Sequence, residues 1–144
     1  MDSWLTVLVI QEVTIMGDDS FFGDAVVFRY TRKQALEDGV LISLSEGECS
    51  EITKLHFKAP LAATALIIAQ LQEVVESGNG DWQGILHDIY SVSKSPFGRT
   101  EQVGNGEERH FSVRFGEKTY SLKIHAGAGD DGELVLTLME SNED

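Results

Sequence analysis

Apolar and polar residues alternate most cleanly between Arg109 and His125. Phe111, Val113 and Phe115 alternate with His110, Ser112 and Arg114, and Tyr120, Leu122 and Ile124 alternate with Thr119, Ser121, Lys123 and His125. A period of two over such a run marks half-buried strands. Gly116-Glu117 between them suits a two-residue hairpin turn of type II′, with Gly at its first central position. That turn pairs Val113 with Tyr120 and Phe111 with Leu122 on the apolar face, and His110 with Lys123 on the other. The two faces agree across the turn, which supports the register. A second pattern is helical: Trp82, Ile85, Leu86, Ile89 and Tyr90 recur at i, i+3, i+4, i+7 and i+8 behind Asp81, an N-cap residue.

Elsewhere the pattern is coarser. From Leu61 to Val75 apolar residues run almost all round, which predicts a central, buried helix with Pro60 in its first turn. Ser77-Gly78-Asn79-Gly80 ends it. Thr31 and Gln34 fit a capping box and Gly39 a C′ residue, which predicts a two-turn helix followed by a strand over Val40–Ser43. Residues 44–53 read as loop, Leu55–Phe57 as a brief strand, and Gly127–Gly132 as a loop before a last strand at Leu134, Leu136 and Leu138. Leu5–Ile15 and Ala25–Tyr30 read as strands. Between Trp4 and Ile10 both faces are apolar, as in a strand covered on both sides or used at an interface, for example a homodimer through residues 4–15. The expected organisation is an extra N-terminal strand over residues 1–15 and one α+β domain over 16–144. That domain would have a mostly antiparallel sheet with two or three helices packed on one face.

Charge changes the picture more than composition does. Among 144 residues, 24 acids oppose 11 Lys and Arg, a formal net charge of −13. Such a chain does not suit duplex nucleic acid as a direct ligand, since phosphates demand clustered cations. One cysteine, Cys49, cannot form an internal disulfide and favours a reducing, cytoplasmic setting. No apolar run reaches about 18 residues, and the N-terminal segment has no cationic region of a signal peptide. Residues 1–28, residues 59–93 and the last fifteen positions carry acids without any Lys or Arg. Glu73 and Glu76 lie three apart on one helix side, with Asp81 just past the helix end. Glu140, Glu143 and Asp144 lie on a tail able to reach them, so the six form a candidate acidic face. A chain of this mass exposes roughly 7,400 Å², about one net charge per 570 Å². Duplex DNA carries about one per 107 Å² of its envelope. Only clustering of the acids on one face closes that gap.

Candidate chemistry is sparse. His87 and Asp88 are helical neighbours that do not face one another. His56 is isolated. His110 and His125 share the outer hairpin face but are off-pair, a weak zinc arrangement. Glu46 and Glu48 raise rather than lower the Cys49 thiol pKa. Gly127–Gly132 lacks the Lys and Ser/Thr of a phosphate loop, and the spacing of a calcium loop. No catalytic residue, metal or cofactor is expected. His110, Arg114 and Lys123, with His125, form a cationic patch that binds an acidic group or pairs with Glu101, Glu107 and Glu108. Tyr30 and Arg32 converging with the Gly127–Gly132 loop on a small ligand give an enzymatic alternative, with no nucleophile or base beside them.

Three blocks carry a resemblance. Phe28-Arg-Tyr-Thr-Arg-Lys-Gln-Ala-Leu-Glu-Asp-Gly-Val-Leu41, Phe57-Lys-Ala-Pro-Leu-Ala-Ala-Thr64 and Leu122-Lys-Ile-His-Ala-Gly-Ala-Gly-Asp-Asp-Gly-Glu133 are similar, in that order, to an uncharacterised family of small acidic proteins. Plasmids, integrative elements and phages carry that family, and the similarity covers roughly residues 20–144. Its members begin near Phe21-Phe22-Gly23, so residues 1–15 are an extra strand or the product of an upstream start. The resemblance implies a setting, direct binding to host defence or regulatory machinery, and carries over no catalytic residue. It implies a non-enzymatic inhibitor of anti-CRISPR or anti-restriction type that presents acid to a host protein's basic groove. An accessory protein that joins its partner's sheet by strand addition is the second reading.

Overall fold

Leu86 is fully buried, and the stripe it belongs to, with Ile85, Ile89 and Tyr90, packs into one core with Phe111, Val113, Leu122 and Ile67. The computed structural model places this contact between a helix and an antiparallel hairpin, as the two strongest periodicities require. It describes residues 30–143. The expected strand at Leu5–Ile15, nearly all of that at Ala25–Tyr30, the dimer contact through residues 4–15, and Asp144 lie outside the described residues.

The described elements are α1 (Arg32–Glu37), β1 (Leu41–Ser43), a 3₁₀ turn (Gly47–Cys49), α2 (Ser50–His56), β2 (Leu61–Thr64), α3 (Ala65–Glu76), α4 (Trp82–Ser93), β3 (Arg99–Val103), β4 (Gly106–Phe115), β5 (Lys118–Ala128) and β6 (Leu134–Glu140). The strands form one sheet in the order β1-β2-β6-β5-β4-β3. All pairs are antiparallel except β2 with β6, where Leu61 lies beside Leu136 and Ala63 beside Leu138. The protein is therefore α+β with a mostly antiparallel sheet. None of the described helices is long and apolar enough to cross a membrane.

Local chemistry accounts for the boundaries. Thr31 and Gln34 complete the capping box of α1. At its other end Val40 N–H donates to Ala35 O and Gly39 N–H to Leu36 O, with Gly39 at φ +79°. That is a Schellman stop, and it needs the left-handed C′ residue that glycine supplies. The hairpin register is as the alternation predicts, Val113 opposite Tyr120, Phe111 opposite Leu122 and His110 opposite Lys123, and Gly116 has φ +63°.

Three expectations fail between residues 44 and 75. Residues 47–56 are a 3₁₀ turn and a helix, neither loop nor strand. The helix is anchored by fully buried Thr53, whose hydroxyl meets Tyr90 Oη at 2.9 Å. Pro60 precedes a strand instead of opening a helix, since Leu61–Thr64 is β2 and Thr64 caps α3 by accepting from Ile67 N–H. The long apolar run is two elements: its first part is apolar because β2 is an interior strand, and α3 shows solvent its other side, with Leu66 47 % exposed. Gly127 and Ala128 also belong to β5, which shortens the expected loop before β6.

Replacing Leu86 with Ala should lower unfolding free energy by about 2–5 kcal/mol in urea titration; a loss below about 1 kcal/mol would contradict its central packing. At Gly39 an added Cβ meets nothing within 4 Å, so only backbone conformation opposes it. Gly39→Ala should cost about 1–2 kcal/mol, and an unchanged denaturation midpoint would contradict the left-handed stop.

Candidate functional site

The outer face of the hairpin gathers most of the ionisable side chains the sequence singled out. Strand alternation puts Glu108, His110 and Arg114 on the side of β4 away from Phe111 and Val113. The register then sets Glu108 opposite His125 and His110 opposite Lys123, and β3 adds Glu101 opposite Glu108. Lys123 Nζ and His125 Nδ1 each lie 3.3 Å from Glu108 Oε2. His110 Nε2 lies 3.3 Å from Glu108 Oε1 and 3.5 Å from Glu101 Oε1. Lys123 is only 6 % exposed. A buried ammonium beside a buried carboxylate is a compensated pair, and it leaves little positive charge for an external anion. The His110, Arg114 and Lys123 patch is thus divided: His110 and Lys123 face Glu108, while exposed Arg114 turns aside and donates to Gly116 O at 3.0 Å. Glu107 accepts instead from Gln102. Burial holds the His125 pKa below its ordinary value, against the opposing pull of Glu108.

Arg32 and the glycine-rich loop do converge, yet for support. Asp130 accepts from Arg32 N–H at 2.8 Å and from Lys33 N–H at 2.9 Å, so its carboxylate fills the N-terminal end of α1. The Arg32 guanidinium donates to Thr137 Oγ1 and Leu136 O, both at 2.8 Å. Tyr30 Oη donates to Asp38, away from both. The position a phosphate would take is filled by a side chain of the protein itself.

The five described acids of the expected face fall into two groups. Glu73 and Glu76 are exposed on the last turns of α3, and Asp81 nearby accepts from Gly84 N–H as the cap of α4. An open groove of about 440 Å³ lined by Glu73, Phe115, Glu117, Lys118 and Tyr120 adds Glu117 to that end. Glu143 accepts from Thr64 Oγ1 at 2.9 Å and from Glu140 N–H at 2.8 Å, which ties Glu140 and Glu143 to the start of α3. At 1.5 Å of rise per residue, Glu73 and Glu76 lie about 14–18 Å farther along the helix axis than Thr64. Glu140 and Glu143 do not reach them. Burial raises the Glu143 pKa.

A second histidine pair, missed by the sequence reading, joins α2 to α4. His56 Nε2 lies 3.1 Å from His87 Nδ1, and Lys94 Nζ lies 2.8 Å from His56 Nδ1. With Lys94 donating, His56 carries its proton on Nε2 and donates to His87. Burial first, then Lys94 and His87, lower the His56 pKa. The misreading of α2 concealed this pair, because in a strand His56 has no helix beside it. Burial, followed by Glu48, raises the Cys49 thiol pKa, as its acidic neighbours suggest.

No protein-family model, curated protein or solved structure matches the chain.

Removing the Asp130 carboxylate tests the α1 anchor. Asp130→Ala should destabilise the protein by about 1–2 kcal/mol, the usual size of a lost helix cap. Amide exchange at Arg32 and Lys33 should accelerate; unchanged exchange would show that the carboxylate is dispensable.

Proposed function

We propose that the protein is a non-enzymatic acidic binding module that docks on the basic groove of a host complex that handles nucleic acid or provides defence. The observation that carries this reading is the surplus of exposed acids over exposed cations among the described residues. Among the described cations, Arg32, Arg109 and Lys123 turn inward, to the backbone of β6, to Ser93 O and Ser95 O, and to Glu108, while Lys33, Lys54, Lys58, Lys94, Arg99, Arg114 and Lys118 are exposed. Glu46, Glu48, Glu51, Glu73, Glu76, Asp88, Glu117 and Asp131 remain exposed. The surface accordingly keeps the acidic balance of the composition, and such a field speeds encounter with a basic partner. The resemblance to small acidic proteins of mobile elements supports the same reading, as does the Asp130 carboxylate that fills the end of α1 beside Arg32. The docking end is the one that bears Glu73, Glu76 and Glu117, and the Glu140–Glu143 segment serves the fold.

The test is capture of partners on immobilised protein from nuclease-treated host lysate over a salt gradient, followed by competition with duplex DNA. A nucleic-acid-binding complex should be retained at low salt and displaced by DNA. Reversing Glu73 and Glu76 to Lys should preserve the circular dichroism spectrum and weaken that partner at least tenfold, about 1.4 kcal/mol. It should also flatten the salt dependence. Equal binding by the reversed protein, or a partner indifferent to salt and DNA, would overturn the proposal.

A further inference from the structure

We propose that Glu101, Glu108 and His110 form a binding site for a divalent transition-metal ion, with zinc the best-fitting occupant. One atom from each side chain lies within 4.8 Å of the others. His110 Nε2 stands 3.3 Å from one carboxylate oxygen and 3.5 Å from the second. A tetrahedral ion with ligands at about 2.0–2.2 Å separates them from one another by about 3.3–3.6 Å, so both distances are those of neighbours on one ion. His110 provides the independent observation. Its Nε2 is buried and has no hydrogen-bond partner, although two carboxylates flank it. A cation shared by the three side chains would satisfy that nitrogen and both carboxylate oxygens at once.

The surroundings suit a ligand set of this kind. Lys123 and His125 hold the other oxygen of Glu108, which fixes the carboxylate as outer-shell partners do in metal sites. Glu101 sits on the edge strand β3 with its side chain half exposed, so the ion would face solvent on that side and keep an open coordination position. One imidazole with two carboxylates favours zinc, or iron and manganese in the divalent state, over calcium or magnesium, which prefer oxygen alone. This site is independent of the acidic docking end, which lies on α3 and the β4–β5 turn.

Titration calorimetry of the metal-stripped full chain with zinc chloride should give one saturable site, and magnesium chloride should give none. Cobalt(II) should develop visible absorption that saturates at one equivalent and disappears on chelation. Glu101→Gln should weaken zinc at least about tenfold, and it is the informative variant because an exposed edge side chain leaves the core alone. His110→Asn should do the same if it folds. His87→Asn removes the alternative pair on α2 and α4 and should leave the titration unchanged. Loss of the site in His87→Asn with retention in Glu101→Gln would overturn the assignment. So would the absence of saturable zinc binding tighter than about 1 mM, which would leave the cluster an ion-pair network.

Discussion

The sheet is held together where β2 runs parallel to β6. This one pairing joins the early part of the described chain to its last strand, and the other long-range ties converge on it. Leu136 N–H donates to Pro60 O at 2.8 Å as the two strands meet. Arg32 crosses to Leu136 and Thr137, Asp130 caps α1, and Glu143 closes on Thr64. None of those contacts exists unless β2 lies against β6. Leu61, Ala62 and Ala63 are almost fully buried because β2 is an interior strand with neighbours on both edges.

Polar chemistry then follows from which face of the sheet a residue occupies. The helix-covered face is closed by apolar side chains, with Arg109 as the exception. Its guanidinium reaches the carbonyls of Ser93 and Ser95 at the end of α4, where a helix terminus is partly negative. On the opposite face Lys123, His110, His125 and Glu108 form a network in which a carboxylate is the common partner. Arg109 and Lys123, with Arg32, are thus the cations that this acid-rich protein uses as internal staples. Those three ties fix the sheet, and the exposed acids of the described residues still outnumber the exposed cations.

What was legible in the sequence follows the strength of the period. The hairpin and α4 each bury one continuous stripe, so alternation and i, i+3, i+4 spacing specified register and face. Capping chemistry made α1 legible down to the handedness of Gly39. Within the helix expected over Leu61–Val75, Leu61–Thr64 was misread because an interior strand and a buried helix are both apolar on every side, and period cannot divide them. Thr64 was the available boundary mark, a capping residue inside the apolar run. The Glu101, Glu108 and His110 cluster was legible only as an alternative, the hairpin patch pairing with nearby acids, for a related reason. Register alone brought His110 to Lys123, while Glu101 needed β3, whose residues are all exposed and carry no apolar alternation. Gly104-Asn105 between Val103 and Gly106 was its signal, a two-residue hairpin loop. The anion-binding reading of Arg32 identified the right convergence, but only coordinates reveal that Asp130 fills the position a ligand would occupy.

The parallel pair also sets an order of events during synthesis. The strand β6 is translated after every other described strand, so β2 waits with the edge that β6 will cover unpaired. Until β6 arrives, Leu61, Ala62 and Ala63 form part of an open, apolar sheet margin, the kind that invites pairing between chains. Early chain can form α1, the β1–β2 pair and α3, and the β4–β5 hairpin can close by local contacts. The two halves become one sheet only when the final strand is inserted between them. A protein assembled this way is fast in its pieces and slow in its closure, because the decisive strand pairing is also the described one of greatest sequence separation.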